Sequence, residues 1–63
     1  MMTKNEIERR LEELRMEYRK VYSMLSMLEK GTKLEDLVRL RMEQLDPIRQ
    51  EIKKMEGELA LLS

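Results

Sequence analysis

The sequence predicts an all-α protein. The expected form is an antiparallel two-helix hairpin, with helices over about 3–30 and 32–62, that pairs with a second copy into a four-helix bundle. Three observations lead there. Apolar residues recur in alternating steps of three and four along two long stretches, and a helix stop signal and a helix start signal sit side by side between them. The chain is also short: at 63 residues, one small helical-hairpin domain over 1–63 accounts for all of it, and such a domain buries too little surface to be more than marginally stable alone.

The first helix opens on Thr3-Lys4-Asn5-Glu6, a capping box in which the Thr3 hydroxyl takes the Glu6 N–H and the Glu6 carboxylate returns the bond to Thr3. An apolar stripe follows: Ile7, Leu11, Leu14, Tyr18, Val21, Leu25 and Leu28. In heptad terms Ile7, Leu14, Val21 and Leu28 are d positions, and Leu11, Tyr18 and Leu25 are a positions, the seam of a helix packing lengthwise on another.

Lys30-Gly31 ends that helix, with Gly31 suited to a left-handed C-terminal cap and Lys30 to the negative end of the helix dipole. Thr32-Lys33-Leu34-Glu35 reads as a second capping box. So short a connection turns the chain straight back on itself. The second stripe is Leu34, Val38, Leu45, Ile48, Ile52, Met55, Leu59 and Leu62, with Arg41 in one seam position and Leu37 and Met42 on its flanks. Arg41 is expected to lay its stem along the seam, send its charge to water and help set the register. Asp46-Pro47 admits two readings: a new helix start, dividing the arm into 32–45 and 47–62, or one helix kinked at Pro47. The stripe stays in phase across the proline through Leu45, Ile48 and Ile52, which favours the kink.

Charge and composition exclude several roles. Thirteen basic and 13 acidic residues cancel, so the overall excess of a non-specific nucleic-acid binder is missing. With neither histidine nor cysteine, the chain lacks the usual zinc ligands and the commonest catalytic base and thiol; no cofactor and no enzymatic activity are expected. The longest uncharged run, Val21 to Leu28, is far too short to span a bilayer, and no apolar leader follows Met1. A cytoplasmic protein is the expectation. Outer-face pairs such as Glu6–Arg10, Arg9–Glu13, Glu35–Arg39, Arg39–Glu43 and Lys54–Glu58 mark faces that meet water, each worth about 0.2–0.5 kcal/mol.

The apolar surface is wider than one seam needs. It spreads near the tip through Tyr22, Met24 and Met27 on the first arm and Leu37, Leu40 and Met42 on the second, and again at the open end through Leu59-Ala60-Leu61-Leu62. The middle is narrower, with Glu12, Glu13, Glu17, Arg49 and Lys53 close by. Two broad ends suit an antiparallel dimer in which the tip of one copy covers the open end of the other. The expected dimer or partner interface is Leu14, Tyr18, Val21, Tyr22, Met24, Leu25, Leu37, Met42, Ile52, Leu59 and Leu62. Seven methionines are read as gap-filling in that core or interface, or as a groove for another helical protein, with Met1 and Met2 given no weight.

In shape the hairpin resembles the small RNA-binding hairpin dimers that control plasmid copy number, without any of their motifs. The stretch Leu45–Ile52 with Leu59 and Leu62 is similar to the opening helix of the all-helical chorismate mutases, a longer three-helix family. Met42-Glu43-Gln44-Leu45-Asp46 keeps only the last two residues of the Ser-Gln-x-Leu-Asp signature of short sporulation phosphatase regulators. None of these assigns a family. The sequence thus points to a non-enzymatic protein-interaction module acting as a homodimer: a regulator, adaptor or assembly factor. The alternative is an RNA- or DNA-binding hairpin using Arg9, Arg15, Arg19 and Lys20, against which the interleaved Glu8, Glu12, Glu13 and Glu17 count.

Overall fold

A computed structural model of the chain describes residues 2–62, and within them it contains two helices and no strand. Helix α1 runs over Lys4–Leu28 and α2 over Leu34–Leu62, joined by a 3₁₀ turn at Glu29–Gly31. The hairpin is a rod of 44 × 16 × 14 Å, its long dimension set by the 29 residues of α2 at about 1.5 Å each. Arg15 meets Glu56 and Tyr18 meets Arg49, so residue numbers rise along one helix as they fall along the other: the pair is antiparallel.

The first cap forms as the sequence predicts. The Thr3 N–H donates to Glu6 Oε1 at 3.1 Å and the Glu6 N–H donates to Thr3 Oγ1 at 3.2 Å. The backbone and side-chain bonds from Thr3 stabilise the ionised Glu6 carboxylate and hold its pKa below the ordinary carboxylate value. The turn is built differently from expectation. No glycine among the described residues has a positive φ, so Gly31 ends a 3₁₀ turn and is not a left-handed cap. The Lys33 carbonyl accepts the Leu37 N–H at 3.0 Å, which makes Lys33 the N-cap of α2. That start is one residue later than a Thr32 box requires, and lysine has no acceptor to fold back onto the helix. Beyond the turn, α2 continues unbroken through Pro47, which removes the reading as two separate helices.

Along the seam Ile7, Leu11 and Leu14 pack with Ile48 and Met55, and the partly buried Met2, Tyr18, Val21, Ile52 and Leu59 close around them. Leu25, Leu37 and Leu45 are buried nearer the turn. No polar or charged residue is buried among the described residues. The tip departs from the expected stripe. Leu37, placed on the flank, is 5% exposed, whereas Leu34 at 74% and Val38 at 46% face solvent. Adjacent helical residues point about 100° apart, and next to the turn it is the Leu37 side of α2, not the Leu34 and Val38 side, that meets α1, while Leu45, Ile48 and Ile52 keep the expected seam. Arg41 is exposed rather than stretched along the seam, and Leu28, the last d position of α1, is half exposed. Met2 contributes to the core margin, contrary to the weight given it; Met1 lies outside the described residues. Most of the other methionines do not fill the core: Met55 is buried, but Met16, Met24, Met27 and Met42 are exposed.

The ion pairs also differ from the expected i,i+4 set. Arg10–Glu13 at 3.5 Å, Asp36–Arg39 at 2.9 Å and Asp46–Arg49 at 3.6 Å are i,i+3 pairs, and Arg15–Glu56 at 3.2 Å crosses between the helices. Exposed pairs differ from one another by tenths of a kcal/mol, so rotamer preference selects among them and sequence spacing does not.

Two stability changes follow. Thr3→Ala removes the acceptor of the N-cap and is expected to cost about 1 kcal/mol, read as a lower urea midpoint at unchanged slope. The Glu6 half of the box has a depressed pKa in the folded chain, so its contribution is complete above the unfolded value and is lost as pH falls through the folded one; the difference between Glu6→Gln and the parent should shrink over that acidic interval. At the other end of the rod, Gly57 is exposed in the interior of α2 and a Cβ there would meet nothing within 4 Å. Gly57→Ala is therefore expected to raise stability by about 1 kcal/mol in the same titration.

Candidate interaction surfaces

Two long faces flank the seam, and residue spacing assigns side chains to each. Residues seven apart share a helix face, and residues two apart lie about 200° apart around it. The Arg15–Glu56 and Tyr18–Arg49 contacts define one face. On α1 this face carries Glu8, Arg15 and Tyr22, and on α2 it carries Glu56, Arg49 and Met42. The other face bears Met24 and, one turn on, Leu28 from α1, and Glu51, Glu58 and Leu62 from α2.

The first face is basic at mid-length. A shallow depression of about 270 Å³ is lined by Arg15, Tyr18, Arg19 and Ile52. Arg49 donates from Nη2 to the Tyr18 hydroxyl at 2.8 Å and from Nε at 3.2 Å. Its guanidinium carbon lies 5.5 Å from the ring centroid, close enough for a cation–π contribution. By accepting those bonds, the Tyr18 hydroxyl favours the charged guanidinium and holds the Arg49 pKa above its ordinary value. Tyr22 stacks on Tyr18 with ring centroids 6.2 Å apart and planes 22° apart, and it remains half exposed. Toward the open end this face holds a second depression, lined by Lys4, Glu8, Arg15 and Glu56 together with Leu11, Leu59 and Ala60.

The opposite face is apolar at both ends. Met24, 59% exposed, and Leu28 stand near the tip. At the open end Met2, Ile7, Met55, Leu61 and Leu62 line a cavity of about 400 Å³, with Lys54 and Glu58 at its edge.

The expected interface residues are thereby divided. Leu14, Leu25 and Leu37 are buried within the chain, and Tyr18, Val21, Ile52 and Leu59 are partly buried in the same seam. Tyr22 and Met42 lie on the basic face, Met24 and Leu62 on the opposite one. Of the four expected basic contacts, Arg15 and Arg19 share the depression beside Tyr18. Arg9 and Lys20 point about 120° and 140° away from Arg15 around α1 and do not join them. Reading the first arm alone misses Arg49 and Lys53; their i,i+4 spacing, laid against Arg15 and Arg19 by the antiparallel pairing, is the signal that finds them.

Among the described residues no group of three or more His, Cys, Asp or Glu side chains is arranged to hold a metal ion. Nor is any helix among them long and apolar enough to cross a membrane. Compared with protein families, with curated proteins and with solved structures, the chain matches none.

The hydroxyl bridging the two helices can be tested directly. Tyr18→Phe keeps the ring but removes the acceptor of both Arg49 bonds. It is expected to cost about 0.5–1.5 kcal/mol of stability in urea, whereas Arg15→Ala, which breaks an exposed pair, should stay within about 1 kcal/mol.

Proposed function

We propose that the chain is a non-enzymatic interaction module that acts as a homodimer, as a regulator, adaptor or assembly factor. In this reading two hairpins lie antiparallel to form a four-helix bundle. The observation that carries it is the face that is apolar at both ends. An antiparallel pair places the tip of each copy over the open end of the other, so Met24 and Leu28 of one would seat against the Met2–Leu62 cavity of its mate. Tyr22 and Met42, expected in the interface from sequence, fall outside this contact because four charged residues, Lys4, Glu8, Arg15 and Glu56, surround the depression at the open end of their face.

Surface area supports the reading. The chain exposes 5310 Å², whereas a compact monomer of 7.7 kDa exposes about 4,300 Å². The excess, about 1,000 Å², is close to the roughly 800 Å² that each partner contributes to a stable interface. A bend at Pro47 belongs to the same proposal: the proline supplies no N–H for the Glu43 carbonyl, and a curved α2 wraps more closely on a second copy.

Sedimentation equilibrium tests it. The parent chain is expected to sediment as a dimer. Met24→Lys and Leu62→Lys, both at exposed positions, are expected to shift it to monomer with helicity retained, and Met42→Lys to leave it dimeric. A concentration-independent monomer of 7.7 kDa would overturn the dimer, and dissociation by Met42→Lys alone would move the contact to the other face.

A further inference from the structure

Four cations from two helices converge on the face that the proposed dimer leaves open. Arg15 and Arg19 stand four apart on α1, and Arg49 and Lys53 stand four apart on α2. The Arg15, Tyr18, Arg19 and Ile52 depression brings the first pair against α2, and the Arg49–Tyr18 hydrogen bonds bring Arg49 against α1, with Lys53 one turn farther along the same side of α2 by spacing. Glu56 and Asp46 engage Arg15 and Arg49. Arg19 and Lys53 make no ion pair among the described residues, although both are exposed. A twofold contact over this face would set the cations of one copy against those of the other, which keeps it open in the dimer. At the tip-side edge of the cluster the half-exposed Tyr22 ring is braced from behind by Tyr18.

We propose that this face binds single-stranded nucleic acid, with phosphates on Arg15, Arg19, Arg49 and Lys53 and a base stacked on Tyr22. A charged groove beside an aromatic platform is the combination that such strands require, since every base has a π face and every linkage a charge. An acidic protein segment would use the cations but has no need of the braced ring. The chain's zero net charge does not oppose this: Glu8 and Glu56 share the face and Asp46 pairs with Arg49, but Arg19 and Lys53 are in no ion pair among the described residues, and Glu17, Glu51 and Glu58 lie on the opposite face. The inference does not depend on the dimer; a twofold would only present the site twice.

The test is fluorescence anisotropy of labelled oligo(dT) and oligo(U) with the full chain across a salt series. Binding should weaken with salt at a log–log slope of about −3 for four neutralised phosphates. Arg19→Ala and Lys53→Ala should each make the slope shallower by about 0.7. Tyr22→Ala should weaken binding about tenfold at unchanged slope, the mark of a lost stack rather than a lost charge. Arg9→Ala and Lys20→Ala serve as off-site cations and should change neither slope nor affinity beyond a small amount. Circular dichroism and sedimentation of the same variants show that fold and self-association are retained. No anisotropy change with either strand at the lowest salt would overturn the proposal. So would unaltered binding by Arg19→Glu/Lys53→Glu, or displacement by poly-glutamate as efficient as by unlabelled strand, which would mark an acidic protein partner instead.

Discussion

One contact sustains this molecule: the lengthwise packing of α1 on α2 along Ile7, Leu11 and Leu14 against Ile48 and Met55. Two helices touch along a single line, so each can bury only one stripe of its surface in the other. Everything outside that stripe is left to water or to a partner. The buried set is wholly aliphatic and thioether, with no buried charge among the described residues and no unpartnered buried polar atom. Burial is therefore limited in extent but carries no electrostatic penalty, and the hairpin retains a hydrophobic surplus on its outside.

The way that surplus is distributed gives the two faces different character. Around the tip the exposed apolar residues come from both helices and reach both faces, with Tyr22 and Met42 on one and Met24 and Leu28 on the other. Farther along, charge separates the faces. Arg15, Arg19 and Arg49 gather beside Tyr18 on a face that also holds Glu8 and Glu56, and Glu17, Glu51 and Glu58 lie on the far side. The less basic face continues at the open end into a cavity lined mainly by apolar side chains, whereas four charged residues line the depression on the other. In the proposed dimer the apolar-ended face would meet a second copy, and the face bearing Arg15, Arg19 and Tyr22 would stay open to another molecule.

The bonds that span the helices favour this division. Arg49 is shared between Asp46 on its own helix and the Tyr18 hydroxyl on the other, and Arg15 reaches across to Glu56. Both arginines are thus oriented by the hairpin before any partner arrives, which reduces the side-chain entropy lost on binding. The exposed methionines are the opposite case. Met16, Met24, Met27 and Met42 are exposed, and an unbranched thioether side chain suits a contact that adapts to shape more than one that dictates it.

The helical class, the two arms, the N-terminal cap and the central seam were legible in the sequence, because each rests on local spacing: the Thr3–Glu6 box and the heptad run from Ile7 to Leu25 need only a helix to express them. The turn and the tip were not. Whether Gly31 takes a left-handed cap, and whether Leu37 or Val38 faces α1, depends on how the first turns of α2 leave a three-residue 3₁₀ turn; from Leu45 onward the expected stripe keeps its place. The cationic site was half legible for the same reason. Arg15 and Arg19 are neighbours by spacing, but the placing of Arg49 on Tyr18 beside them is a fact of interhelical register. Periodicity along one chain is enough to tell which residues form helices and which stripe each must bury. Which side chains from different arms share a face is set by how two finished helices are rotated and slid against each other, and that became visible in the folded hairpin alone.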